Sequence, residues 1–398
     1  MTATSDSLPH LPFPRPGVLD IGPLYRTLLA RAPITPVRTL AGDVAWLVTG
    51  YAEVKALFAD PRLGRSHPDP KRAARISDAA FFGGPMGDAA TEATDHTRMR
   101  RLLTPAFSAR RMQALRARVA ELVDTLLDQL AEQSPPADLH EALSFPLPAL
   151  VICELLGVPY ADRDQFRAWS AGMVTLTDRE ASAAALTQLV SYMHHLMAHK
   201  RAHPGEDVIT DLLAAHDDEH FGDDQIAELA AALLFAGHET TVARIDYGTL
   251  LLLTHPDQRA ALRRDPELVA GAVEEILRVA APGSGGLPRY ARDDIDIAGV
   301  RIRTGDAVLL SGVVANRDPA AFTDPDRFDI TRTANPHLSF GYGPRFCIGA
   351  GLARLELRTV FTALPRRFPT LELAVPLEEL RLRADLLTGG LTALPVRW

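Results

Sequence analysis

Cys347 is one of two cysteines in 398 residues, and it stands in "FGYGPRFCIGAG", two residues after Arg345 and between Gly343 and Gly349. Helical spacing begins directly after it, in "GAGLARLELRTVF". A cysteine at a helix start meets unpaired backbone N–H groups and the positive end of the helix dipole, and both favour the thiolate. Glycines around it let a flat, bulky group approach the backbone, and Arg345 is placed to pair with a carboxylate of that group. Cys153 is the only other thiol, so there is no disulfide framework, and ligation or catalysis is the chemistry that Cys347 suits.

Three further groupings carry chemical side chains. "AGHETT" sets Ala236, Gly237, Glu239 and Thr240 in the middle of an apolar helical run. A mid-helix glycine costs about 1 kcal/mol relative to alanine, and the bland account of the acid and alcohol is a polar face or a threonine bonded to the preceding turn. "EEILR" puts Glu275 and Arg278 three apart on one helix face, a pairing that any solvated helix can carry. His96 and Arg100 share a helix face, and Arg289 follows in "LPRYA". Guanidinium forks suit carboxylates.

The pattern Phe340-x-x-Gly343-x-Arg345-x-Cys347-x-Gly349 resembles the haem-ligand signature of the cytochrome P450 family, whose iron is held by a cysteine thiolate. The other groupings occur in the order that family uses, together with "ANRDP" and "PDRFDITR", so the resemblance spans roughly residues 40–398. It implies a mainly α fold with a small β portion, the triangular helical haem domain, and haem b as cofactor with Cys347 as axial iron ligand. It assigns His96, Arg100, Arg289 and Arg345 to the haem propionates and sets Phe340, Gly349 and Ala236 against the porphyrin. Glu239 and Thr240 become the catalytic pair that delivers protons on the distal side, where the family's helix bulges. Glu275 and Arg278 become a buried structural pair. The implied activity is a monooxygenase that inserts one atom of O2 into an organic substrate by hydroxylation or epoxidation. Two stretches depart from the pattern: "TEAT" before His96 lacks the usual proline, and Arg244 and Asp246 in "VARID" are unusual, with no functional account.

The elements that must position these residues are mostly helical. Residues 97–132 carry helix spacing interrupted near Pro105, as do 184–202 and 206–216, and 223–256 reads as one long helix closed by His255-Pro256. Strands are expected at 45–50 and within 294–310, and a hairpin around Gly389-Gly390. Residues 62–95 form a long loop of the kind that is usually functional or disordered. Residues 1–15 read as a disordered leader and 16–398 as a single haem domain.

The formal charge of −8 argues against nucleic acid as a partner. "MTATSDSLPHLPFPRPG" has no charged-then-apolar signal pattern, and no apolar run approaches the ~20 residues that span a bilayer, so a cytoplasmic protein without membrane contact is expected. No Gly-rich dinucleotide motif follows a strand, so electrons come from NAD(P)H through external partners. Arg98, Arg101, Arg110, Arg111 and Arg116 form a basic patch suited to an acidic ferredoxin, itself served by a ferredoxin reductase. Substrate contacts are expected from Phe81, Phe82, Met86, Leu233, Gly285, Leu287 and Leu387. The glycines of "PGSGGLP" leave room for a large or polycyclic molecule. A polyketide or macrolide of antibiotic-type biosynthesis ranks first, ahead of terpenoid oxidation or oxidative ring formation. A peroxide-driven enzyme or a non-catalytic haem carrier ranks below these, because the acid–alcohol pair is intact.

Overall fold

A computed structural model describes residues 8–173, 175–214, 222–283, 285–386 and 388–398. Pro105 breaks the first helical run as its missing N–H requires, into Glu92–Leu103 and Ala109–Ala131. Ser108 caps the second by accepting the Arg111 N–H at 3.3 Å. The first begins at Glu92, earlier than its spacing suggests, so "TEAT" lies at the helix entrance.

The long helix runs Asp223–Thr254. Gln225 folds back to accept the Gly222 N–H at 3.0 Å, and Pro256 opens the next helix, Pro256–Arg264. Its apolar residues cover every side because Pro146–Leu156, Arg179–Ala202 and Ala350–Arg367 all pack on it. By length and composition it could cross a membrane, but 67% of its most apolar window is buried in the protein, as in a core helix. Gly248 makes the closest approach possible, since a Cβ there would lie 2.3 Å from Cζ of Phe361 on the cysteine helix, Ala350–Arg367. The long helix stays α-helical through Gly237, without the bulge the resemblance implies.

The main sheet has five strands in the order Ile34–Arg38, Val44–Val48, Ala307–Leu310, Leu287–Ala291, Leu63–Gly64. All neighbours are antiparallel except Val44–Val48 with Ala307–Leu310. Pro36 is tolerated because its strand is an edge. The 294–310 pattern resolves into a hairpin of Ile295–Ile297 and Val300–Ile302, then Ala307–Leu310. The C-terminal glycines do turn the chain, through a bridge between Leu382 and Leu391, with positive φ at Gly389 and Gly390. Pro395–Arg397 then leaves to pair with Ala137–Asp138 and Glu372–Leu373.

Residues 8–15 are not a disordered leader. Leu11 and Phe13 are buried, the Phe13 ring lies 4.6 Å from Tyr25, and the Leu11 N–H donates to Arg38 O at 2.9 Å. The segment adds along the free edge of the sheet, which composition alone does not reveal. Residues 1–7 lie outside the described residues.

Arg244 and Asp246 serve opposite sides of the long helix. Arg244 donates to Ala280 O at 2.5 Å, capping the end of Val269–Val279. Asp246 accepts from, or shares a proton with, His140 Nδ1 at 2.7 Å; both side chains are buried. Burial opposes a charged His140, but the Asp246 hydrogen bond and charge outweigh it and raise its pKa above the ordinary value.

One buried acid gives a stability prediction. Glu356, on the cysteine helix, is 1% exposed, its Oε2 has no partner among the described residues, and burial raises its pKa well above 4.5. The folded state keeps this proton while the unfolded state loses it above the ordinary carboxylate pKa. Stability therefore falls as pH rises above that value, by about 1.4 kcal/mol per unit until the folded pKa is reached. Glu356→Gln is expected to be flatter than the parent by that slope in urea midpoints taken between about pH 5 and pH 8. Parallel curves would show that Glu356 is ionised in the folded protein.

Candidate active site

The cysteine loop is closed by its own backbone. The Cys347 N–H donates to Phe340 O at 2.9 Å, and Gly341 and Gly343 both hold φ 72°. A Cβ on Gly343 would lie 2.9 Å from Cα of Ala59, so the turn is wedged against the helix Tyr51–Ala59. Gly349 caps the cysteine helix. Arg354 on that helix lies over the Phe340 ring at 4.6 Å and pairs with Glu274 at 2.7 Å. Arg354 and His337 hold Glu274 down to about 2 despite its burial.

The Cys347 side chain is solvent-accessible, yet surrounding protein raises its pKa. Together these describe a thiol that solvent reaches although protein surrounds it. The N–H groups of Gly349 and Ala350 and the charges of Arg100 and Arg354 pull the other way without prevailing. The helix start alone therefore does not make Cys347 a thiolate, contrary to the expectation from spacing. A metal coordinated by Cys347 would, because ligation removes the thiol proton.

Of the predicted cations Arg345 meets a carboxylate, Glu92, which also gathers donors that the sequence pattern does not mark. Glu92 accepts the N–H groups of Arg65 at 2.8 Å and Ser66 at 2.9 Å, the Ser66 hydroxyl, Arg292 at 2.5 Å, and Arg345. Burial works against its charge, but these donors hold its pKa at about 2. Gly64 leaves space for the pair, since its Cβ would lie 2.6 Å from Glu92 Oε2. Arg289 is buried and donates to its neighbour's Pro288 O at 2.8 Å; burial, Arg65 and Arg345 lower its pKa to about 9. Burial, then Arg345, Arg100 and Arg65, lower His96 to about 4, so it is neutral at pH 7. Arg100 reaches Phe346 O at 2.9 Å, one residue before the cysteine.

The long helix opens in one place. Between Ala230 and Thr254 only Ala236 and Thr240 are exposed. The Thr240 hydroxyl donates to Ala236 O at 2.9 Å, the back-bond to the preceding turn. Glu239 is 2% exposed; its Oε2 lies 3.6 Å from Arg383 and its Oε1 3.7 Å from His238 Nδ1. Arg383 belongs to the C-terminal turn, and no local pattern marks it.

Of the expected substrate contacts, Phe81 packs edge-on against Phe235 of the long helix at 5.2 Å and against Phe82 at 4.6 Å. Met86 is partly buried in the same core, and Leu233 is buried. A Cβ on Gly285 would meet nothing within 4 Å, and Leu287 is 41% exposed, so that wall borders open space. Leu387 lies outside the described residues. Glu275 and Arg278 are fully buried and bonded to each other at 2.7 and 2.8 Å.

The residues present fit a haem. Cys347 is the accessible one of the two cysteines, and it stands beside glycines. Nearby, Arg289 and Arg345 are packed in with less negative charge than positive, which suits a flat ligand bearing carboxylates.

A model of the family described as Cytochrome P450 matches residues 167–378. Pentalenolactone synthase of Streptomyces exfoliatus is 49% identical, over 98% of this chain and 99% of its own. Cytochrome P450 monooxygenase PikC of Streptomyces venezuelae is 41% identical, over 96% and 95%. The substrate-free structure of PimD, a polyene macrolide antibiotic pimaricin epoxidase, superposes with a TM-score of 0.88 at 46% identity, covering 98% of this chain and 100% of that one.

Proposed function

The chain belongs to the cytochrome P450 family, and from that premise we propose that it tailors a polyketide or macrolide by hydroxylation or epoxidation, in a cytoplasmic setting. It is a haem monooxygenase that acts on a small organic substrate with O2 and redox partners. The observation that carries the reading is the cysteine loop, with an accessible thiol at a glycine-capped helix start. The macrolide assignment draws support from the likeness to PimD.

Haem, when bound, supplies reductive activation of dioxygen, with thiolate donation favouring O–O cleavage. Cys347 provides that thiolate, and its backbone bond to Phe340 fixes where the sulfur stands. Arg289, Arg345 and Arg100, with neutral His96 as a hydrogen-bond partner, hold the propionates. Glu239 takes up protons on the side of Arg383 and passes them toward Thr240. The Thr240 hydroxyl, already donating to Ala236 O, keeps its oxygen lone pairs as acceptors. Phe81 and Leu233 exclude water from the distal side.

Electrons from NAD(P)H arrive through a ferredoxin reductase and an acidic ferredoxin. An open groove of about 1100 Å³ lies behind the cysteine loop, lined by Phe107, Met112, Arg116, Arg358 and Arg366 among others. It extends the predicted basic patch, while Arg111 is tied to Glu206 O at 2.6 Å. The function is tested with labelled dioxygen. The expected result is one labelled oxygen atom in the product of a macrolide panel, with NADPH, ferredoxin and reductase. Unlabelled product formed equally well from peroxide alone would replace this reading with a peroxygenase.

A further inference from the structure

Arg65 follows the short strand Leu63–Gly64 and is absent from the cation set that the sequence pattern marks. Its backbone N–H serves Glu92, but its guanidinium has no hydrogen-bond or ion-pair partner among the described residues, and its Nε is buried without one. It is partly accessible, yet enough protein surrounds it that burial and the Arg345 charge lower its pKa to about 10.

The guanidinium is held in place. It lies over the Phe82 ring at 4.6 Å. Phe82 has φ 63°, a left-handed conformation that an aromatic side chain rarely adopts. The surrounding loop enforces it: Gly83 O accepts the Ile76 N–H at 2.7 Å, and a Cβ on Gly83 would lie 2.1 Å from Ala79 O. Strained residues of this kind cluster at ligand sites. Phe81, next in the chain, packs on Phe235 of the long helix. The strained loop thus joins an unpaired cation to the wall beside Ala236 and Thr240.

We propose that Arg65 is a carboxylate-binding residue of this pocket, additional to those the sequence pattern assigns. The inference rests on the haem monooxygenase reading. Charge favours the substrate over the porphyrin as the source of that carboxylate. Glu92 is the only carboxylate among the described residues that acts on Arg65, Arg289 and Arg345, and it is also the partner of Arg292. Arg65, Arg100, Arg289, Arg292 and Arg345 together outnumber Glu92 and a porphyrin's pair of propionates, so positive charge is left over. Arg65, stacked on the aromatic loop, is the one with no partner, so the substrate class is an organic acid.

The test uses haem-loaded protein with dodecanoic, abietic and deoxycholic acids, each beside its methyl ester, followed by the substrate-induced spin shift. Haem transfer to apomyoglobin is measured in parallel. In the parent at least one acid is expected to bind about 10- to 100-fold more tightly than its ester. Arg65→Met should erase that preference, Arg65→Lys should keep part of it, and haem transfer should stay unchanged. Faster haem transfer from Arg65→Met, with no acid preference, would give the carboxylate to the porphyrin and overturn the organic-acid class. No acid preference and unchanged haem transfer would overturn the carboxylate role altogether. Absence of a red-shifted Soret band in the reduced, carbon monoxide-bound parent would overturn the haem reading first, and the inference with it.

Discussion

Cys347→Ala is expected to abolish the strongly red-shifted Soret band of the reduced, carbon monoxide-bound protein and to lower product formation on the order of 10⁴-fold or more. The size follows from what is lost. The thiolate is the only protein group proposed to donate electron density to the iron, and a residue that works within one catalytic unit costs nearly the whole effect when removed. The fold should survive, because the side chain is accessible and makes no hydrogen bond that closes the loop; the Cys347 N–H to Phe340 O bond is backbone. Thermal midpoints close to the parent's are therefore part of the expected result. Cys153→Ala is the matched control. Cys153 is 2% exposed in the helix Pro146–Leu156, and burial pushes its pKa up to about 12, so it stays a packed thiol. A red-shifted band that persisted in Cys347→Ala and vanished in Cys153→Ala would move the ligand to the helix Pro146–Leu156 and overturn the assignment of Cys347.

The parts of this site that were legible in the sequence are those written in short spacing. The turn of the cysteine loop, the Glu275–Arg278 pair and the break at Pro105 all depend on residues within a turn or two of each other. The parts that were not legible depend on contacts across the chain. Glu92 meets Arg345 at a separation of 253 residues, and Arg383 reaches Glu239 from the C-terminal turn. Arg65 sits in a stretch whose weak periodicity predicts only a loop, and nothing local says that its guanidinium turns inward. A faint signal did exist for Glu92: it lies four residues before His96, on the same face of a helix. The segment 8–15 escaped for a different reason. Its proline-rich composition does resemble a flexible tail, but Leu11 and Phe13 find a core to enter at the sheet edge.

The buried pair carries the second large expectation, and it concerns folding. Arg278 donates to both oxygens of Glu275 and to the carbonyls of Asn316 at 2.9 Å, Pro325 at 2.6 Å and Arg327 at 3.0 Å. Glu275 also accepts from the Asp329 N–H at 3.0 Å, Asn335 at 3.0 Å and Arg332 at 3.2 Å. One ion pair thus anchors the coil between residues 316 and 335, which has little regular structure of its own to satisfy its backbone. That coil leads directly into the cysteine loop, and Ser339 continues the attachment by donating to Leu277 O at 2.6 Å. Arg278→Leu leaves the buried Glu275 charge with Arg332 as its remaining cation, and the carbonyls of Asn316 and Pro325 without a donor among the described residues, while Arg327 O keeps Arg332 at 3.2 Å. It is expected to cost about 3–5 kcal/mol, read as a lower urea midpoint. Glu275→Gln keeps the shape but turns an amide N–H2 toward donors and leaves the buried Arg278 without its carboxylate, so its loss should be comparable. Replacing both residues together should cost less than the sum of the single changes, because the second substitution removes a charge that the first had stranded. Additive losses would mean that the two side chains hold the coil independently, and that the pair is an accident of helix spacing.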